Sequence, residues 1–485
     1  MRRSGHALDW ETKPLPFKIY PTLEPLRLPT ALPVVGMDTF TALEAASITR
    51  PAPLDLDRLA ALLFFSAGVT RVKTYPGGAQ IHFRAAPSTG ALYQTEVYVV
   101  AGAVEGLPAG IYHFNPGDFS LRRLRAGDWR GALASAAADE GLAAQPASIL
   151  LSGIYWRNTW KYQARGYRHL FWDSGSMLAQ FLAVARAQEL PARLVTGFVD
   201  AQVNGLLGLD ATREGALVIA PIGADGPSAP ASPVVTPLAI DVIPLSSREV
   251  DYPLLRAAYD DSALDSEPEL EAWREGRGQV LHSDIVGMQE TPPEAARAEA
   301  GRALGETIAR RGSTRQFSGE AIDRVALSSA LRHATGRIPM DVPDGAVDLF
   351  VNVHAVTGLE PGAYAYDRRA HALSLLRPGD VRQASAFLCL EQALGGDSGA
   401  TVFFLADLGR ALERWGNRGY RLVNLEAGLI GGRLYLGAYA QGFGATGLTF
   451  YDRAVVDFFS PAAAGREAIF VTALGRSRSR PAPTG

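Results

Sequence analysis

Short runs of β-branched and apolar residues alternate along this chain with longer stretches that are small or apolar on nearly every face. Residues 96–101, EVYVVA, predict a buried strand, and residues 149–153 and 401–406 share its character. Residues 173–188 and 426–441 are longer and predict core helices. Residues 216–222 and 467–474 predict strands closing a first and a second half. Each half mixes both periodicities, which predicts an α+β fold built twice.

The intervening segments suggest the organisation. Residues 1–40 are rich in proline without clear periodicity and predict an extended arm over the surface. A first domain is expected over 41–223. Residues 224–236, ADGPSAPASPVVT, predict a linker, and irregular chain is expected from 237 until an Ala/Glu/Arg-rich helix approaching residue 300. A second domain over 301–478 and a frayed tail over 479–485 complete the expectation.

An internal repeat supports the two halves. Residues 106–130, GLPAGIYHFNPGDFSLRRLRAGDWR, recur 252 positions later as GLEPGAYAYDRRAHALSLLRPGDVR, with ten of 25 positions identical and no gap. Arg165-Gly166-Tyr167-Arg168 recurs 253 positions later as Arg418-Gly419-Tyr420-Arg421, and Gly175 then matches Gly428. A period this long implies domain duplication, with the halves packed as an intrachain pseudo-dimer.

Composition narrows the function. The 485 residues carry 47 basic and 50 acidic side chains, which argues against a nucleic-acid footprint or a polybasic membrane anchor. No apolar run is long enough to span a bilayer, and the basic start MRRSGH has no apolar run behind it, unlike a signal peptide. The single cysteine, Cys389, suits a reducing cytoplasm.

The polar motifs of the halves differ. In the second half Arg310-Arg311-Gly312-Ser313-Thr314-Arg315 follows a helical stretch. In extended chain Arg311, Ser313 and Arg315 would point one way, and two guanidinium forks with a hydroxyl suit a phosphate; a solvated basic turn is the alternative. Anchoring Asp57-Arg58 on Asp323-Arg324 sets Arg311 against Ala45, Ser313 against Ser47 and Arg315 against Thr49. In the first half Pro87, Ser88, Thr89 and Gly90 form a small-residue turn that a flat ligand could approach. Its counterpart, Pro339-Met340-Asp341, lacks the hydroxyls. Each half has kept a different polar fragment, so a pseudo-twofold arrangement would join both at one site and leave its mate without either.

These motifs resemble the nitroreductase superfamily and, within it, the SagB-type azoline dehydrogenases. PSxGALY stands here at residues 87–93, EVYVV at 96–100, GLxxGxYxYxP at 106–116 and RRxSxRxF at 310–317, so the resemblance covers roughly 45–223 and 300–478. It implies FMN at a composite site, with Arg311, Ser313 and Arg315 from the second half and Pro87, Ser88, Thr89 and Gly90 from the first. It further implies backbone N–H groups at Thr449 and Phe450 facing flavin N5, and contacts from Gln392 and Arg476. The Lys161-Tyr162 pair ahead of the Gly-Tyr-Arg element is implied to take a substrate proton; a surface lysine beside a packed tyrosine is the alternative. Tyr167 and Arg168 recur in both halves and are expected to be structural.

The resemblance implies a small-molecule or modified-peptide substrate, with azoline rings oxidised by hydride transfer to N5, and biosynthetic partner enzymes. An NAD(P)H-dependent nitro or quinone reductase and a flavin-binding scaffold without turnover are the alternatives. Either a monomer or a homodimer of the fused chain is compatible. Gly396-Asp397-Ser398-Gly399 resembles a serine-protease turn but lacks a positioned triad, and the eight histidines show no metal-ligand spacing, so no metal is expected.

Overall fold

The computed structural model describes residues 7–45, 47–78, 80–102, 104–275, 290–291 and 301–478. Each half is built on an antiparallel sheet. In the first, the strands lie in the order Pro25–Arg27, Ser120–Ala126, Gly110–Asn115, Thr95–Ala101, Ala147–Ile154 and Glu214–Ile222. In the second, Ala372–Pro378, Gly362–Asp367, Asp348–Val353, Ala400–Ala406 and Glu467–Gly475 repeat that order, with Glu290–Thr291 and Gly444–Gly447 added at the edges. Thr95–Ala101 and Ala400–Ala406 are buried along their whole length, which is why their apolar residues, Val97–Ala101 and Val402–Ala406, follow one another without alternation.

The two core helices, Gly166–Ala187 and Arg418–Ala440, begin seven and eight residues earlier than the apolar pattern indicates. Their first turns are polar because those side chains reach across to the other half. Arg165 and Arg168 pair with Asp452 at 2.8 and 2.6 Å, while Arg418 and Arg421 pair with Asp200 at 2.7 and 2.6 Å. Asp200 and Asp452 each open a helix, Asp200–Leu207 and Asp452–Phe459. The exchange is reciprocal, as a pseudo-twofold axis requires. Tyr167 stacks on Tyr420 with centroids 6.0 Å apart. Buried apolar clusters draw on both halves: Trp172 joins the second-half core, and Leu425, Leu429 and Leu436 join the first. The tandem pseudo-dimer is therefore one packed body.

Three expectations change. The arm does more than cover the surface. Pro25–Arg27 pairs with Ser120–Ala126, and Lys18 lies buried with its Nζ 2.6 Å from Glu214 Oε2 and 2.8 Å from the Tyr98 hydroxyl. The stretch expected to be irregular contains the helices Pro253–Asp260 and Glu267–Glu275. Their buried anchors, Leu255, Tyr259, Leu270 and Trp273, are too few for a helical period to stand out. The connecting helix near residue 300 and the tail over 479–485 lie outside the described residues. Finally, the helices Thr39–Leu43 and Leu304–Arg310 differ in length, which shifts the alignment. Asp38 and Ala303 pair as equivalents ahead of these helices, whereas their C-caps are Glu44 and Arg311, so no single offset aligns both ends.

Among the described residues no helix is long and apolar enough to cross a membrane, and no group of three His, Cys, Asp or Glu side chains could hold a metal ion.

Candidate active site

The first-half turn is built from the hairpin Val69–Thr74 and Gln80–Arg84, which runs directly into Pro87, Ser88, Thr89 and Gly90. Ser88 Oγ accepts from the Tyr93 N–H at 2.9 Å, closing the turn on itself. Gly90 has φ +66°, and a Cβ there would sit 3.0 Å from the Tyr162 hydroxyl. Ala91 and Tyr93 also have positive φ, at 53° and 51°. Non-glycine residues persist in that region where their surroundings over-determine them.

Asp173 supplies much of that constraint. Its buried carboxylate accepts from Ser88 Oγ at 2.6 Å, from Thr89 N at 2.9 Å, from Thr89 Oγ1 at 2.7 Å and from Gln94 Nε2 at 2.7 Å. Burial pushes Asp173 up to about 6, against the pull of those donors. The network continues through Gln94 Oε1, which accepts from Asn158 Nδ2 at 3.2 Å, to His169, whose Nδ1 lies 2.7 Å from Asn158 Oδ1. His169 is buried, and burial holds it well below the usual histidine range, so it is a neutral packing group. Sequence reasoning missed this network. The available signal was Asp173 itself, the one carboxylate in the helix Gly166–Ala187.

Lys161 and Tyr162 end the helix Tyr155–Tyr162. The next residue, Gln163, has φ 53° and ψ −147°, backbone that favours glycine; the corresponding helix Leu408–Trp415 is followed by Gly416 at 57° and −158°. The first half thus keeps glutamine in a glycine conformation directly behind the Lys-Tyr pair. Partial burial and, next, the charge of Arg315 lower the Lys161 ammonium from its ordinary value. Burial, then the Asp173 carboxylate, push the Tyr162 phenol up to about 12, with Arg315 opposing. Second-half Arg315 is therefore close enough to act on both first-half groups.

Arg311 makes the other link between halves. Its guanidinium is buried, with Nε donating to the Ala85 carbonyl at 2.5 Å and Nη2 to the Arg84 carbonyl at 2.7 Å. These are the carbonyls at the root of the Pro87 turn, so two of its donors hold protein chain rather than standing free for a phosphate. Ser313 Oγ lies 3.4 Å from the Tyr435 hydroxyl, which accepts from the Gly447 N–H at 2.7 Å. The three polar residues of this motif thus turn to different partners, because the segment follows a helix C-cap and is not a regular strand.

Gln392 and Thr449 meet, with Gln392 Nε2 donating to Thr449 Oγ1 at 3.0 Å. Phe450 is buried beneath first-half guanidiniums, Arg165 at 5.2 Å and Arg168 at 5.8 Å from the ring centroid. The backbone N–H groups of Thr449 and Phe450 donate to no acceptor among the described residues. Arg476 is exposed and donates from Nε to the Ala321 carbonyl at 3.0 Å. It adjoins the Arg311–Arg315 segment through Ser318, whose N–H donates to the Arg476 carbonyl, and has no recorded contact with the first-half turn.

The pseudo-symmetric mate is built differently. Gly197 and Phe198 correspond to Thr449 and Phe450. There the Asp341 carboxylate accepts from Thr196 N at 2.9 Å and Gly197 N at 3.0 Å. Leu194 N donates to the Pro339 carbonyl and Asp341 N to the Leu194 carbonyl. This seam sews the second-half turn to the first-half chain. Among the described residues no hydrogen bond joins residues 87–90 to 446–450 at the composite site. The serine-protease-like turn is a packing feature: Ser398 is fully buried, 3.3 Å from a His354 that burial depresses to about 4.

Known proteins share this fold. The Nitroreductase family profile matches residues 46–224 and 308–473. A candidate nitroreductase of Methanocaldococcus jannaschii is 28% identical over 173 residues, covering 36% of this chain and 82% of that protein. The crystal structure of a candidate nitroreductase from Anabaena variabilis superposes with a TM-score of 0.78 at 27% identity, over 98% of this chain and 96% of that one. The chain therefore belongs to the nitroreductase family of oxidoreductases, with a family match in each half.

Proposed function

We propose that the chain is an FMN-dependent dehydrogenase of the SagB type, with one FMN at the composite site and azoline rings of a modified peptide as substrate. The observation that carries this reading is the asymmetry of the two sites: the Thr449 and Phe450 amides are free of internal acceptors, whereas the equivalent Gly197 amide is capped by Asp341. Free, oriented N–H groups suit a ligand that is electron-rich at that edge. Gly90 fits as well, since any side chain there would press on Tyr162.

The Pro87, Ser88, Thr89 and Gly90 turn would carry the flat ring system, Thr449 and Phe450 its N5 edge, and Ser313 and Arg315 the ribityl and phosphate, with Gln392 and Arg476 as further contacts. Arg311 holds the turn in place through its carbonyls. Held there, FMN would supply a two-electron acceptor for a hydride, with oxygen or another acceptor restoring it. Converting an azoline to an azole releases one hydride and one proton. Lys161 is the proton acceptor, since burial and Arg315 ease its deprotonation. Tyr162, pushed upward, stays a neutral phenol that packs on Gly90 and orients its neighbour.

The test is cofactor stoichiometry followed by anaerobic reduction. The purified protein should carry close to one FMN per chain, and an azoline peptide should bleach it. Two FMN per chain, or none, would defeat the composite site. Rapid bleaching by NADH that survives Lys161→Ala would identify a nitro or quinone reductase.

A further inference from the structure

The mate of the composite site retains a cavity. It occupies about 310 Å³ between the halves, at the lower end of the ~300–1,000 Å³ typical of ligand pockets. Its walls are apolar, formed by Leu43, Ala179, Leu182 and Ala183 among others, and Arg186, Arg337 and Arg433 line it together with a single carboxylate, Glu44.

The three guanidiniums are not equivalent. Arg433 is buried and spent on the protein: Nη1 donates to the Gly336 carbonyl at 2.6 Å and Nη2 to the Arg337 carbonyl at 3.1 Å. Arg186 is half-buried, and its Nε lies away from solvent without any hydrogen-bond partner. Neither Arg186 nor Arg337 forms an ion pair or a side-chain hydrogen bond among the described residues. Glu44 is drawn elsewhere, with its carboxylate 3.7 Å from His333 Nε2. A buried donor without a partner is costly, by ~1–3 kcal/mol, unless something satisfies it.

The cavity is not a second flavin site. The Asp341 seam takes up the amide that would face the ring, and the first-half segment lining the cavity offers Glu44, Ala45 and Ser47 but no arginine. We infer that it is a separate binding site for a small organic anion, a carboxylate with a compact apolar body. Arg186 and Arg337 bind the charged end, and the alanine and leucine walls take the body. The inference is independent of the reaction proposed above.

Octanoate is the probe, titrated calorimetrically into the full-length protein as purified. Saturable binding at one site per chain is expected, with octanol binding at least tenfold more weakly. Arg186→Gln and Arg337→Gln should each weaken octanoate at least tenfold; both positions reach solvent, so the fold should tolerate them. Arg315→Gln, on the composite side, should leave octanoate binding unchanged. No saturable binding, equal binding of octanol, or a loss on Arg315→Gln in place of Arg186→Gln would overturn the assignment.

Discussion

Gly175 and Gly428 lie backbone to backbone where the helices Gly166–Ala187 and Arg418–Ala440 cross. A Cβ on Gly175 would collide with the Leu425 carbonyl and the Leu429 amide, and one on Gly428 with the Trp172 backbone. The close approach also lets Ser176 Oγ donate to the Gly428 carbonyl at 3.2 Å. Gly175→Ala should therefore push the helices apart and cost ~1–3 kcal/mol, the range for overpacking a filled core. Urea unfolding measures it; an unchanged midpoint would show slack at the crossing.

Arg311 and Ser88 belong to different halves but support one turn. Arg311→Ala removes the clamp on the Arg84 and Ala85 carbonyls, and Ser88→Ala removes a donor to Asp173 and the acceptor for Tyr93 N. Each should lower FMN occupancy, read as the flavin-to-protein absorbance ratio. Arg311→Lys should not restore it, because a single ammonium cannot reproduce a two-pronged fork. Full occupancy in both alanine variants would separate the turn from cofactor binding.

Lys161→Ala should retain flavin and slow substrate-driven reduction by ~10²–10⁴-fold, the usual contribution of a positioned base. The wild-type rate should rise with pH as Lys161 loses its proton, with a midpoint below that of an ordinary lysine. Arg315→Gln removes a nearby positive charge, so the midpoint should move upward. A pH profile untouched by Arg315→Gln would remove Lys161 from the proton transfer.

Asp173 makes a prediction about stability. Burial lifts its folded-state value to about 6, above the ~3.9 of an unfolded aspartate. The folded protein then takes up a proton before the unfolded chain does as pH falls. The group's contribution is full below pH ~4 and is lost as pH rises through 6, a difference of the order of 3 kcal/mol. Asp173→Asn lacks this component, so between pH 4.5 and 7.5 the wild type should lose more stability than the variant in urea titrations. Parallel curves would show that the carboxylate is ionised throughout.

The repeat was legible because duplication preserved glycines and arginines at a nearly constant spacing, and those residues prove to be the helix crossing and the reciprocal ion pairs. The strands were legible because both faces are buried. The helix starts were not, since Arg165 and Arg168 make a first turn look like surface while Asp452 waits 284 to 287 residues away. The two helices of 253–275 were hidden by having few anchors each. At the site, the chemistry of each motif could be read, but its partners could not. Arg311 reads as a phosphate ligand in isolation; its commitment to two carbonyls in the other half is a tertiary fact. Lys18 reads as arm and folds as core for the same reason.

The Asp341 seam has a consequence for how such a protein can change. In a symmetric homodimer every substitution appears twice, so an aspartate that caps the Gly197-equivalent amide would do so at both sites together. In a fused chain the same substitution closes one site and spares the other. Asp341 thus carries a contact, from its carboxylate to the Thr196 and Gly197 amides, that the fused chain makes once and does not repeat at the pseudo-symmetric position.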